Sequence, residues 1–166
     1  MLILGPRTEA LAARESENAF YGGFNRMIGL LVLAQKDVAF GLLEAVDHVL
    51  GQRPPALVAF PVRYDTPPDE LALALGKAIR AVDDGDGVLI LADIYGATHI
   101  NVACRLLERK RVELVTGLNL PMLIRVLNYR DRPLDELIEK ALKGGVEGIV
   151  CATEFCLLDN AKHELR

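Results

Sequence analysis

The sequence is poor in the residues that mark several protein classes. It has no tryptophan, and only three of its 166 residues are cysteine. The cysteines occur in no CxxC or Cys/His spacing, so we expect neither a metal site nor a disulfide framework, and reduced thiols in the cytoplasm are the simplest interpretation. No apolar run approaches the roughly 20 residues that cross a bilayer, so no direct membrane span is expected.

The sequence also has no large excess of charge of either sign. The formal net charge is −4, and the signs are interspersed, which argues against a nucleic-acid partner. No Walker, GxSxG or HExxH signature occurs, so no cofactor is expected. What the chain does have is apolar residues, which make up 51% of it, enough for one domain with its own core.

The chain divides into three parts. Residues 1–26 have scattered charges without the order of a signal peptide, and we treat them as an N-terminal extension of unclear status. Residues 27–150 carry the periodic pattern of a folded domain. Residues 151–166 form a C-terminal tail without clear pattern.

Short apolar runs alternate with stretches of helical period. Between the runs, apolar residues recur every three or four positions, which predicts amphipathic helices, the last ended by Gly144-Gly145. The order strand–helix, repeated four times, predicts an α/β fold with a mostly parallel four-stranded sheet and helices on both faces. The predicted buried strands are Met27–Ala34, Ala56–Val62, Val88–Ala92 and Val112–Thr116.

The polar segments that follow the strands indicate a binding site. Because the carboxyl ends of parallel strands share one edge of a sheet, these segments should line one crevice. The third strand stops at Asp93, and Gly96 and Ala97 lead to Thr98, which we expect to be the N-cap of the next helix. Such a helix start presents backbone N–H groups to an anion.

Two longer motifs resemble a known family. Residues 85–101 read GDGVLILADIYGATHIN, and residues 115–127 read VTGLNLPMLIRVL. They follow a first strand and a helix that ends AVDHVLG at residues 45–51. Over residues 27 to about 150 the chain resembles the mannose-type enzyme IIA of the bacterial phosphoenolpyruvate-dependent sugar phosphotransferase system.

That resemblance implies a phosphoryl carrier. In the family, a histidine at the end of the first strand accepts a phosphoryl group from the phosphohistidine carrier protein and passes it to a IIB subunit. It also implies a cytoplasmic homodimer that can associate with a membrane permease. In such a dimer a C-terminal antiparallel strand pairs with the neighbour's sheet, and Glu147–Ala152 would supply that strand here.

The resemblance assigns the site residue by residue, with one departure at the reacting group. Asp93 matches the aspartate that orients the histidine, Thr98 the hydroxyl-bearing loop residue, and Asn101 the loop asparagine. Gly96 and Ala97 would complete the phosphate pocket. The histidine position itself carries Gln35, whose amide nitrogen shares its lone pair with the carbonyl and cannot act as a nucleophile.

Two further departures add groups to the site. Lys36 replaces a glycine and either attracts an anion to the rim or is a solvated surface lysine. His99 replaces a proline beside Asp93, and it is either a relocated phosphoacceptor or a partly exposed histidine at a helix start.

Three functional interpretations therefore remain. The chain is a phosphotransferase component with a displaced acceptor, a phosphorylation-incompetent regulatory or binding homologue, or an unrelated binder of small ligands on the same scaffold. Position 35 favours the second for mechanism, because the loss of the nucleophile leaves the crevice and the partner-binding surface in place.

Overall fold

Strands and helices alternate along the chain, except that two helices follow the last strand. A computed structural model describes residues 27–63 and 65–153, so the N-terminal extension and most of the C-terminal tail lie outside the described residues. The alternation confirms the predicted α/β class. The elements are β1 Gly29–Gln35, α1 Lys36–Leu50, β2 Leu57–Val62, α2 Pro68–Val82, β3 Val88–Ala92, α3 Thr98–Cys104, β4 Val112–Thr116, α4 Leu120–Asn128 and α5 Leu134–Glu147.

All four strands are parallel, in the order β2-β1-β3-β4. The central strands β1 and β3 are buried along almost their whole length, as their uninterrupted apolar sequences predict. From β1 the chain passes to β2 on one side and then returns to β3 on the other. The order of strands therefore reverses between β1 and β3, and ligands of open α/β sheets bind at the carboxyl ends of the strands at such a reversal.

Alternate side chains of β1 enter two separate cores. On one face Leu30 and Val32 pack in a core that also contains buried residues of α1, α4 and α5. On the other face Leu31 and Leu33 pack with buried residues of α2 and α3. The sheet is thus covered on both faces, and its carboxyl edge carries the loops that begin α1 and α3.

A buried arginine holds the opposite edge of the sheet. Arg130 is 7% exposed, and its Nε and Nη2 donate to the carbonyl oxygen of Ile28 at 3.0 and 2.6 Å. Nη2 also donates to the carbonyl of Ala56 at 3.0 Å, and Nη1 donates to that of Pro55. One guanidinium therefore links the residues that precede β1 and β2.

The turn from α2 into β3 is organised by Asp83. Its Oδ1 accepts hydrogen bonds from the backbone N–H of Gly85 at 2.8 Å and of Gly87 at 3.3 Å, and its Oδ2 accepts one from Nη2 of Arg111 at 2.8 Å. Burial acts to raise the pKa of the Asp83 carboxyl, but these donors outweigh burial and lower that pKa below its ordinary value.

One prediction about the last helix was wrong. Gly144 and Gly145 lie inside α5 and do not end it. Their lack of a side chain lets α5 approach α4. A Cβ added at Gly144 would lie 2.9 Å from Cβ of Arg125, and one added at Gly145 would lie 2.7 Å from Cε of Met122. The C-terminal antiparallel strand expected at Glu147–Ala152 would pair with a neighbouring chain, and it stays a prediction. In the single chain Glu147 is the last residue of α5, and residues 148–153 contain no strand. Within the described residues, no helix is long and apolar enough to cross a membrane.

Candidate functional site

The reversal of strand order brings two of the predicted site residues together. Gln35 is the last residue of β1, and Asp93 follows β3, the neighbouring strand. The backbone N–H of Gln35 donates a hydrogen bond to Oδ2 of Asp93 at 3.3 Å. The pairing of the two central strands therefore places this carboxylate beside the start of α1.

The side chain of Gln35 serves as the N-cap of α1. Its Oε1 accepts hydrogen bonds from the backbone N–H groups of Asp37 at 3.0 Å and Val38 at 3.4 Å. The amide oxygen thus satisfies donors that have no partner within the helix. Capping by Gln35 was not predicted, because glutamine is not among the residues that usually cap helices.

Asp93 also binds His99, which the loop between β3 and α3 folds back towards it. Nε2 of His99 lies 3.1 Å from Oδ1 of Asp93, and the same oxygen accepts the backbone N–H of Ile94 at 2.7 Å. His99 is only 4% exposed. The predicted reach from Asp93 to His99 is confirmed, whereas the alternative of a partly exposed histidine was wrong, because the residue is buried where it contacts Asp93.

A hydrogen bond to an ionised carboxylate requires a proton on Nε2 of His99. In a neutral imidazole the second nitrogen, Nδ1, then carries the lone pair. A carboxylate that fixes the tautomer of an imidazole in this way is the arrangement that enzymes use to orient a histidine. The pair is therefore the strongest chemical feature of this edge of the sheet.

Thr98 does not cap α3. The helix begins at Thr98, the extended residue before it is Ala97 (φ −68°, ψ 154°), and the cap carries no side-chain hydrogen bond. The carbonyl of Ala97 accepts from the N–H groups of Ile100 at 3.0 Å and Asn101 at 3.2 Å, which sets the helix start one residue earlier than threonine capping requires. Gly96 precedes this start with a φ of 87°, a backbone conformation that glycine adopts readily.

The remaining predicted pocket residues lie at the surface of the same edge. Lys36 is the first residue of α1, and it is exposed, as are Gly96, Thr98 and Asn101. No hydrogen bond joins these side chains to one another among the described residues. The structure thus brings Gln35 and His99 each into contact with Asp93 and leaves the other predicted residues exposed at the same edge.

Large apolar side chains, which we call the apolar rim, are exposed in the two segments that follow β1 and β3, and they were not anticipated. Tyr95 is 80% and Ile94 64% exposed in the loop after β3, and Phe40 and Val38 are 48% and 43% exposed near the start of α1. Large exposed apolar side chains grouped around a polar centre mark an interaction surface. The signal in the sequence was the pair Ile94-Tyr95, which follows an acidic residue and precedes a glycine, and so lies outside any strand or helix pattern.

Comparison with known proteins places the chain in a family. The model of the family described as the fructose IIA component of the phosphotransferase system matches residues 29–142. The chain belongs to this family. The resemblance inferred from the motifs is therefore confirmed, and the match spans every element from β1 into α5.

Curated relatives agree with the family assignment. The mannose-specific EIIAB component of Escherichia coli strain K12 is 37% identical over 74 residues, which are 43% of this chain and 23% of that protein. The fructose-specific EIIA component of Bacillus subtilis strain 168 is 28% identical over 106 residues, 63% of this chain and 72% of the relative. The chain thus spans less than a quarter of the first of these relatives.

Solved structures show the same fold. The EIIA component from Streptococcus agalactiae has a TM-score of 0.68 and 25% identity, over 77% of this chain and 99% of that one. A mannose/sorbose-specific IIA subunit from Enterococcus faecalis has a TM-score of 0.67 at 19% identity, over 75% of this chain and 94% of that one, a likeness of fold.

Proposed function

We propose that this EIIA-type chain binds protein partners of the phosphotransferase system without carrying a phosphoryl group at the end of β1. It then acts as a regulatory or binding component rather than as a link in phosphoryl transfer. The observation that carries the proposal is the role of Gln35, whose amide oxygen caps α1 at 3.0 and 3.4 Å from two backbone nitrogens.

The chemistry of position 35 supports the loss of transfer. Phosphoryl transfer to a carrier needs a nitrogen or oxygen with an available lone pair, and the nitrogen of an amide has none. The resemblance assigns the acceptor histidine to this position, and Asp93 lies beside it, bonded to the backbone N–H of Gln35. The site thus keeps the orienting carboxylate and lacks the group that it would orient.

The apolar rim supports partner binding. Aromatic side chains that are exposed in the free protein and become buried on association contribute strongly to affinity. Phe40, Ile94 and Tyr95 supply exposed side chains of this kind in the segments that follow β1 and β3, and Lys36 is also exposed at the start of α1. By the resemblance, the partners are the phosphohistidine carrier protein and a IIB subunit.

Titration calorimetry of the chain with the phosphohistidine carrier protein and with a IIB subunit tests this proposal. We expect binding of at least one of them, weakened about tenfold or more by Tyr95→Ser. Tyr129→Ser is the matched control, since Tyr129 is a half-exposed tyrosine that lies after α4, away from the rim. Absence of binding to both partners, or equal weakening by the two tyrosine variants, would overturn the proposal.

A second candidate function has one observation in its favour, the 3.1 Å contact between Nε2 of His99 and Asp93. Nδ1 of His99 would then accept the phosphoryl group as the bond from phosphorus to the carrier's histidine breaks, and Asp93 would stabilise the charged ring. The burial of His99 counts against this function, because the phosphorus must approach the ring nitrogen in line. Phosphoryl transfer to the wild type that is lost in His99→Ala would establish it.

The resemblance also supports a cytoplasmic homodimer that associates with a membrane permease. Light scattering of the full chain tests the dimer, and a monomer at micromolar concentration would exclude it. Fractionation of cells that express the protein tests the cytoplasmic location and the association with a permease. We expect the protein in the cytoplasmic fraction, and part of it in the membrane fraction only when the permease is present.

A further inference from the structure

The side chain of His99 and the backbone N–H of Gln35 both bind the carboxylate of Asp93. We propose that His99 is a positioning residue that draws on the charge of Asp93 from α3, so that positions 35 and 99 are coupled. A histidine placed at position 35 then becomes an efficient phosphoacceptor only when His99 is removed as well. The inference rests on the proposed function, in which the wild type does not accept the phosphoryl group.

The hydrogen bonds of Asp93 show how the carboxylate is held. Oδ1 accepts from the backbone N–H of Ile94 at 2.7 Å and from Nε2 of His99 at 3.1 Å, and Oδ2 accepts from the backbone N–H of Gln35 at 3.3 Å. Each carboxylate oxygen has about two acceptor positions. Oδ1 is therefore fully used, and Oδ2 has one position left.

A second imidazole at position 35 would have to share this carboxylate. The negative charge of Asp93 must stabilise the ring that becomes charged when the phosphoryl group arrives. While His99 donates to Oδ1, part of that charge is already offset by a donor from α3. Two imidazoles on one carboxylate also disfavour each other's protonated forms, since like charges repel.

Removal of His99 frees one acceptor position on Oδ1 of Asp93, which keeps its hydrogen bond from the backbone N–H of Ile94. Proline is the residue that the family has at this position, and position 99 lies in the first turn of α3, where a backbone N–H has no acceptor within the helix. The carbonyl of Ala97 receives Ile100 and Asn101 instead. We therefore expect His99→Pro to keep the start of α3, and His99→Ala provides a second variant that makes no demand on the backbone.

The experiment measures the initial rate of phosphoryl transfer from phosphoenolpyruvate through the upstream enzyme and the phosphohistidine carrier protein. The acceptors are the wild type, Gln35→His, and Gln35→His combined with His99→Pro or with His99→Ala. We expect at least one double variant to be phosphorylated about tenfold faster or more than Gln35→His alone. Gln35→His with His48→Ala is the matched control, since His48 is an exposed histidine of α1, and its rate should equal that of Gln35→His.

Three results would overturn the inference: equal rates for Gln35→His and both double variants, slower transfer in both double variants, or no transfer to any variant. Circular dichroism melting of each variant shows that it is folded. A merely structural role of His99 predicts slower transfer after its removal, the reverse of our expectation. Phosphorylation of the wild type itself would refute the proposed function instead, so the two failures are distinguishable.

Discussion

The carboxylate of Asp93 lies between two residues that are far apart in sequence: Oδ1 is 3.1 Å from Nε2 of His99, and Oδ2 is 3.3 Å from the backbone nitrogen of Gln35. One side chain therefore connects the start of α1 to the start of α3, at the reversal of strand order. The carboxylate beside Gln35 therefore binds a histidine that belongs to α3.

Asp93→Asn should release His99 from its present tautomer. The amide has nearly the shape of the carboxylate but no charge, and its single carbonyl oxygen cannot accept from all three donors that now bind Asp93. We expect the imidazole nitrogen shifts of His99 in the NMR spectrum to move, while those of the exposed His48 stay unchanged. Unchanged shifts for His99 would show that the contact with Asp93 does not determine its tautomer.

Gln35→Ala should destabilise the protein by about 1 kcal/mol, the usual effect of removing an N-cap. The reason is that two backbone N–H groups of α1, those of Asp37 and Val38, lose the oxygen that they now reach. The free energy of unfolding in urea measures this effect. Gln52→Ala, in the exposed loop after α1, is the control and should change stability little. An equal effect of the two substitutions would contradict the capping role.

Arg130→Ala should lower the free energy of unfolding by about 2–4 kcal/mol, because the carbonyl of Ile28 and those of Pro55 and Ala56 lose a charged donor in a buried site. Arg130→Lys should recover only part of this loss, since an ammonium cannot donate in the plane of a guanidinium fork. Arg132→Ala, an exposed residue of the same turn, is the control. Equal free energies of unfolding for Arg130→Ala and Arg132→Ala would show that the guanidinium of Arg130 does not stabilise the starts of β1 and β2.

The stability of the chain should fall in acid, in part through Asp83. Its pKa in the folded protein is lowered, so its contribution is fully present above the ordinary aspartate pKa of about 3.9 and is lost as the pH falls through the lower folded value. Asp83→Asn should therefore flatten the acid part of the curve of unfolding free energy against pH. Asp131→Asn, whose side chain is 64% exposed, should leave that curve unchanged. A steep acid decline that persists in Asp83→Asn would assign it to other carboxyls.

The fold was predictable because it depends on patterns that are local in sequence. The third and fourth strands have the predicted bounds, and the first two are shifted at their ends by one or two residues. Apolar runs that are too short for a helix leave few alternatives once helices separate them. The prediction that Gly144 and Gly145 end the last helix was wrong, because these glycines let α5 approach α4, a contact that the local sequence does not show.

The site was predictable in its location but not in its contacts. Asp93 and the loop after β3 were identified from the motif, and the reach to His99 was anticipated. The capping by Gln35 and the burial of His99 were missed, because both depend on the packing of this edge rather than on residue type. Arg130 was missed for the same reason, since its guanidinium binds the carbonyl of Ile28, 102 residues away in the chain.

The most direct test of the account is the amount of phosphoryl group that the wild-type chain acquires from phosphoenolpyruvate, the upstream enzyme and the phosphohistidine carrier protein, measured as label per molecule with a family member that has the acceptor histidine as the positive control. The account predicts no label above background in the wild type, because position 35 is Gln35 and His99 is buried against Asp93. Label on the wild type that approaches one phosphoryl group per chain would contradict it.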